Sequence, residues 1–464
     1  MSWLDNRIQN NPNKIFISYN NHDYSFLDIG YMVETYAKAL SKLGIKKGDK
    51  IVINLGSGIE LVEIILSCFQ LGAIAAPINS NLTDFEKNII IKQIDPKIII
   101  SSWNTKLLSP TKEIPLIPIE ELPNSSSGCA IAKNDYKMDL HDICIIILTS
   151  GTTSLPKCVQ LTYNNFFNSC SNWNKFLEFK EKDQFLCCLP LNHIGGLAVM
   201  LRALLFNFSV NLISTFDPKE VLTTIKKNPI TIISLVPTML KRILDFDDGL
   251  EELQKINWIL LGGGPSPNSL LDLCIENNLN IVKVYGMSET CSGTVVLKLL
   301  DEPQNKIYAG RPFKGTKVSI EKGQIYFSGP VVMHGYLGEL KSNGFHKSGD
   351  LGRVEEDNLV FLDIRRKDLI ISGGENINPI EVEEAMMKID YIIDAAVTSE
   401  RDETWGQTVI AYFVSDSNDL NCELITQNLK QTLAPFKIPK KMTQVSKIPR
   451  NELGKIIYHK LDPL

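Results

Sequence analysis

Between an extended run at residues 143–148 and another at 158–161 lies Thr-Ser-Gly-Thr-Thr-Ser-Leu-Pro-Lys, residues 149–157. Hydroxyl side chains, a glycine and a lysine crowded together suit phosphate binding. Hydroxyls and backbone N–H groups can wrap a phosphate chain, and the lysine adds a compact positive charge. The segment is not a Walker A loop, because G-x-x-x-x-G-K-[ST] is absent. Read alone, it serves equally as a Ser/Thr-rich surface turn. Gly262-Gly263-Gly264 lacks G-x-G-x-x-G and reads as a tight strand-to-helix turn. Arg202 is notable for its setting, since it interrupts the apolar stretch 194–213. Charges in apolar surroundings are rarely left without a partner, so Arg202 meets either a bound anion or a structural carboxylate.

The elements that must hold these groups alternate along the chain. Residues 50–54, 73–78, 97–101, 232–235, 258–261 and 281–284 read as short buried strands. Residues 58–70 and the stretch from Asp84 read as helices between them. This alternation predicts a largely parallel α/β sheet with ligands at the strand C-termini. Asn378-Pro379-Ile380-Glu381 sets a cap residue before a proline, and Val382, Met386 and Ile389 follow at helical spacing. Ser266-Pro267 is expected to open the helix through 270–273 in the same way, and Thr162 to cap another. Residues 123–133 read as a loop. The stretch 194–213 reads as a buried helix and strand, since a membrane span needs about 20 mostly apolar residues.

A chain of 464 residues favours at least two folding units. Its 44% hydrophobic and 22% charged residues are ordinary for a globular protein. A net charge of −5 argues against nucleic-acid binding and polybasic membrane contacts. Ten cysteines without a C-x-x-C pair argue against zinc or a disulfide framework. They point to reduced, buried thiols in a cytoplasmic protein. The N-terminal Met-Ser-Trp-Leu-Asp has no basic region leading into an apolar core, so no signal peptide is expected.

The phosphate-loop candidate does not stand alone. Six segments, in order along nearly the whole chain, resemble the motifs of the acyl-adenylate-forming superfamily: acyl-CoA synthetases, luciferases and adenylation domains. Thr149, Ser150, Gly151, Thr152, Thr153 and Lys157 resemble its phosphate loop. Tyr285-Gly286-Met287-Ser288-Glu289-Thr290 resembles its adenine and Mg²⁺ motif, and Ser348-Gly349-Asp350 its ribose motif. Arg365-Arg366-Lys367-Asp368 resembles the second ribose contact and the hinge, and Gly373-Gly374-Glu375 the loop that meets the thiol acceptor. Residues 449–455 resemble the motif ending in the catalytic lysine, Lys455.

The resemblance implies an α/β fold with a large N-terminal domain of parallel-rich sheets packed with helices, residues 1–366. A small α+β C-terminal domain, 367–464, follows a hinge at Lys367. It implies ATP, Mg²⁺ and coenzyme A as ligands. Glu289 would hold the metal, and Gly263, Gly264, Asp350 and Arg365 would bind the nucleotide. Glu289 offers hard oxygens, Asp350 can accept ribose hydroxyls, and Arg365 can donate to the same sugar. Ser154 and Cys158 stand where the superfamily usually has glycines.

Residues 190–202, 234–240, 261–265, 285–292, 368–377 and 402–407 further resemble the o-succinylbenzoate–CoA ligases of menaquinone and phylloquinone synthesis. That implies a dicarboxylic acid met by His193, Arg202, Ser234, Ser292 and Gly293. His193 either polarises the reacting carboxylate or is a satisfied core histidine. Alternatives are another aryl- or acyl-CoA ligase, an acyl-AMP ligase loading a carrier protein, and a non-catalytic nucleotide-binding relative. Small molecules are the expected partners, with no nucleic acid, no membrane span, and a homodimer left open.

Overall fold

The structure, a computed structural model, describes residues 2–103, 114–123, 136–149, 156–264, 266–364, 369–416, 422–449 and 456. The predicted alternation builds two sheets. In a seven-stranded sheet, Lys50–Asn54 lies between Ile74–Pro77 and Ile98–Ser101, parallel to both. Ile143–Thr149 joins Ile74–Pro77 in parallel, and Lys157–Thr162 returns beside it antiparallel. In a nine-stranded sheet, Gln184–Cys187, Ile232–Leu235, Trp258–Leu261 and Ile281–Met287 are parallel neighbours. Ile232–Leu235 is buried at every position. Helices on both faces leave such strands no polar side, hence the continuous apolar runs. One apolar cluster spans the two sheets and includes Ile53, Ile145, Phe166, Trp173, Phe185 and Leu201. Each large side chain so buried contributes about 1.5–3 kcal/mol.

Local signals set several ends as expected. Thr162 caps Tyr163–Leu177, its hydroxyl accepting from the Asn165 N–H while the Asn165 side chain reaches back. Asn378 caps Pro379–Met386. The apolar stretch is the helix Ile194–Phe206 followed by the strand Ser209–Leu212. One expectation is corrected: the helix after Ser266 runs Asn268–Glu276, with Pro267 preceding it and no side-chain cap. A second concerns Cys158. It lies on Lys157–Thr162 and is buried with Val52, Ile74 and Ile146, so its side chain fills core and does not crowd a phosphate. Most of the expected loop, residues 124–133, lies outside the described residues.

Two sheets go beyond the parallel pattern. Lys317–Glu321, Gln324–Ser328, Phe345–Val354 and Val360–Ile364 form an antiparallel sheet that carries Asp350. From residue 369 onward, Ile370–Ser372, Glu375–Ile377, Ile392–Asp402, Gly406–Ser415 and Lys441–Gln444 form a mixed sheet. With Pro379–Met386 and Cys422–Leu429 it closes its own apolar core around Ile377, Val382, Phe413 and Leu429. The chain is thus a large α/β N-terminal part and a small α+β C-terminal part. No helix among the described residues is long and apolar enough to cross a membrane.

Candidate active site

A cavity of about 1080 Å³ opens where the parallel strands end and the C-terminal part faces them. Leu235, Gly262 and Met287, at or just beyond three strand C-termini, all line it. Ligand sites of open α/β sheets lie at such ends.

Residues of the motifs expected to bind the nucleotide line this cavity. Thr149 and Lys157, the two ends of the phosphate loop, face each other as a register pair and both line the cavity. Ser150, Gly151, Thr152, Thr153 and Ser154 lie outside the described residues, as do Arg365, Lys367 and Lys455. Ile456, next after that lysine, lines the cavity. Tyr285 donates to Asp350 Oδ2 at 2.8 Å, and the Asp350 N–H donates to Ser348 Oγ at 3.0 Å. Gly286 is needed for close approach, since a Cβ there would fall 2.3 Å from the Ser292 carbonyl. Gly286, Met287, Ser288 and Gly263 line the cavity. Gly264 does not, and a Cβ there would sit 3.7 Å from Pro237 and 3.8 Å from Ile371, at the seam between the two parts.

Glu289 is buried at the cavity wall, and its Oε1 accepts from the Tyr336 hydroxyl at 2.7 Å. No group of three or more His, Cys, Asp or Glu converges among the described residues. A single oxygen-donor carboxylate beside a phosphate loop fits Mg²⁺, which binds through one or two carboxylates, phosphate oxygens and water. It does not fit a tetrahedral zinc site.

Residues expected to meet the acid, together with Trp173, come from three separate elements and line the same cavity. Tyr163–Leu177 supplies Trp173, Ile194–Phe206 supplies Arg202, and Ser292–Lys298 supplies Ser292 and Gly293. Arg202 is 3% exposed. Its guanidinium carbon lies 4.7 Å from the Trp173 ring centre, and Nη2 donates to Ser292 Oγ at 3.0 Å. Nε has no acceptor among the described residues. Burial lowers the guanidinium pKa to about 10, with the thiols of Cys170, Cys291 and Cys187 opposing it, so the group stays charged at neutral pH. No described carboxylate is paired with it. Trp173 also donates to the Gly293 carbonyl at 3.1 Å. Ser234 lines the same cavity. Sequence reading missed Trp173, because an aromatic on an apolar helix face looks like core, which it also is.

The C-terminal part closes the other wall. Gly373 and Gly374 turn with φ of +58° and +91°, which glycine tolerates, and bring Glu375 to His193. Glu375 Oε2 lies 3.4 Å from His193 Nε2, an ion-pair distance. Burial disfavours imidazolium, but the Glu375 carboxylate outweighs it and holds the His193 pKa above its usual range. Burial likewise opposes a charged Glu375, yet His193 and Lys437 keep its pKa below the usual carboxylate range. Farther out, Lys437 Nζ meets Glu86 Oε1 at 2.6 Å and Glu381 Oε1 at 2.7 Å. Glu86 belongs to the N-terminal helix Asp84–Ile94 and is, like Lys437, buried.

The AMP-binding enzyme family matches residues 4–337, and the AMP-binding enzyme C-terminal domain matches 381–455. A 2-succinylbenzoate–CoA ligase from Bacillus licheniformis is 33% identical, the alignment covering 99% of each chain. An o-succinylbenzoate CoA synthetase double mutant from Bacillus subtilis, bound with its product analogue, is 31% identical over 99% of this chain and 98% of that one, with a TM-score of 0.92. The Bacillus subtilis synthetase in complex with its acyl-adenylate intermediate is 30% identical over 100% and 98%, with a TM-score of 0.75. Of these two structures, the product-analogue complex superposes on this chain the more closely. By its matched motifs, its two-part architecture and its near full-length relatives, the chain belongs to the AMP-binding enzyme family.

Proposed function

We propose that this protein is an ATP-dependent 2-succinylbenzoate–CoA ligase that works through an acyl-adenylate. A carboxylate is a poor electrophile because its charge resists attack. In the first step an oxygen of the succinyl carboxylate attacks the α-phosphorus of ATP, and pyrophosphate leaves. In the second, the coenzyme A thiolate attacks the acyl carbonyl, and AMP leaves with the bond electrons. Tyr285 and Asp350 form the nucleoside side of the cavity, and Thr149 and Lys157 the phosphate side. Mg²⁺, when bound at Glu289, neutralises charge on the phosphates. The protein's part in the first step is positioning and charge stabilisation.

We assign Lys455 and Arg365 to that step on their motifs, and place the domain boundary at 366/367 with the hinge at Lys367. Lys455 serves adenylation in one arrangement, and the Gly373–Gly374–Glu375 loop serves thioester formation in the other, by hinge rotation. Of the nine described cysteines eight are buried and all are free thiols, which supports a cytoplasmic setting. The resemblance supports a product that enters menaquinone or phylloquinone synthesis.

The observation that carries the assignment is Arg202. A buried cation without a described carboxylate partner, at the end of a cavity that holds nucleotide motifs, selects an acid with a second negative charge. The test is pyrophosphate release and CoA-thioester formation with o-succinylbenzoate beside benzoate, succinate and a medium-chain fatty acid. Turnover of o-succinylbenzoate alone is expected. Preference for a monoacid would overturn the substrate, and silence on every acid would overturn the enzyme.

A further inference from the structure

Lys157 and Glu289 bear opposite charges on the phosphate side of the cavity, yet no ion pair joins them. Both contact Tyr336. Its ring centre is 4.4 Å from Lys157 Nζ, and its hydroxyl donates to Glu289 Oε1 at 2.7 Å. The placement is built into the backbone. Gly335–Tyr336 pairs antiparallel with Lys157–Thr162, the strand that begins with the lysine, in the register Tyr336↔Val159. On either side, the His334 N–H donates to the Gln160 carbonyl and the Leu337 N–H to the Cys158 carbonyl, each at 2.9 Å. The preceding segment also grips Glu289 directly, the Met333 N–H donating to its carbonyl at 2.8 Å. Asn165 fixes that segment through the Pro330 and Val332 carbonyls, at 2.8 Å each.

We infer that Tyr336 is a positioning residue for the adenylation step, a spacer that keeps Lys157 for phosphate and Glu289 for Mg²⁺. The inference rests on the ATP-dependent reading above. An ammonium and a carboxylate that both contact one side chain, in a partly dehydrated cleft, attract one another. If they paired, each would neutralise the group its ligand needs. The ring offers Lys157 a cation–π surface that a phosphate can still displace. The hydroxyl occupies one carboxylate oxygen of Glu289 and fixes its plane, leaving the other for the metal. A ligand's partner that sets its orientation in this way commonly affects metal affinity.

The experiment separates the two halves of the side chain. Binding of a non-hydrolysable ATP analogue is measured by calorimetry, with and without Mg²⁺ and with no acid or coenzyme A, so nothing turns over. Tyr336→Phe keeps the ring and loses the hydroxyl. It should raise the Mg²⁺ concentration for half-maximal enhancement of binding about tenfold, the loss of one hydrogen bond to a charged group, and leave metal-free binding unchanged. Tyr336→Leu removes the spacer and should weaken metal-free binding as well. In both variants pyrophosphate release should fall more than thioester formation from synthetic 2-succinylbenzoyl-adenylate and coenzyme A, and far-UV circular dichroism with the thermal midpoint shows that the fold is intact. An unchanged Mg²⁺ requirement in Tyr336→Phe would overturn the inference, as would an equal loss in the thioester step. Failure of the wild-type protein to bind the analogue would instead sink the ATP-dependent reading.

Discussion

Replacing Arg202 with methionine should leave the empty protein nearly as stable while removing its preference for a dicarboxylic acid. Among the described residues of the free protein the guanidinium has one hydrogen bond, to Ser292, and the Trp173 face. A hydrogen bond to a charged group contributes about 1.5–3 kcal/mol, and a desolvated cation–π contact about 2. Against these stands the cost of burying a cation without a counter-ion, several kcal/mol even after relaxation. The terms nearly cancel, and methionine fills the apolar space with a flexible side chain. The thermal midpoint should therefore move by no more than a few degrees. With acid bound the balance differs, because the ring carboxylate of o-succinylbenzoate supplies the missing charge. Removing one partner of a buried pair costs about 3–5 kcal/mol, which lowers kcat/KM by on the order of 10²–10⁴. The comparison substrate is 4-oxo-4-phenylbutanoate, which keeps the reacting arm and lacks the ring carboxylate. Steady-state kinetics of both acids on both proteins isolates the charge. The mutant should lose activity only on the dicarboxylate. Equal loss on the two acids, or a mutant that melts far below wild type, would refute the reasoning, since Arg202 would then be structural.

Three further outcomes follow from the geometry. Lys437→Met leaves Glu86 and Glu381 facing each other without their cation, at a cost to the docked arrangement of about 3–5 kcal/mol. It should slow thioester formation from the acyl-adenylate at least tenfold and spare pyrophosphate release, and equal slowing of both half-reactions would exclude a docking role. The His193–Glu375 pair makes the thioester step pH-dependent. The raised His193 pKa means its contribution is full at low pH and lost as pH rises through the docked value. The lowered Glu375 pKa means its contribution is full above the ordinary carboxylate range and lost as pH falls through the docked value. Glu375→Gln should thus shift the alkaline limb of the single-turnover profile to lower pH, and an unmoved limb would assign it to another group. Finally, a Cβ at Gly293 would lie 2.0 Å from Val284 Cγ1 and 3.3 Å from Trp173. Gly293→Ala should cost about 1–3 kcal/mol of stability by overpacking. It should raise KM for o-succinylbenzoate while calorimetry finds ATP-analogue binding unchanged.

Much of this was legible in the chain itself, because the signals are local. Short apolar runs such as Ile232–Leu235 read as buried strands without knowledge of their neighbours. Thr162 and Asn378 cap helices through hydrogen bonds spanning three and two residues. The ordered motifs placed Tyr285, Glu289 and Asp350 in one site, and the cavity joins them. The Ser266–Pro267 helix start was misread because a proline can precede the first helical residue as readily as occupy it.

Tertiary structure decided what depends on which distant residues meet. Cys158 looked like a phosphate-loop departure until strand pairing turned its side chain into the core. Trp173, Arg202 and Ser292 come from two helices and a strand, and only their packing makes one pocket. Tyr336 had no sequence signal, since its role exists only in register with Lys157–Thr162. Lys437 and Glu86 are 351 positions apart, and they meet because the C-terminal part docks in this one orientation. Sequence determined the elements, the motif order and the chemistry available, since these follow from neighbouring side chains and backbone preferences. Packing across the chain determined which charges are buried, which are paired and which are left facing a cavity, since desolvation and Coulomb energy depend on distance and surroundings that no local stretch encodes.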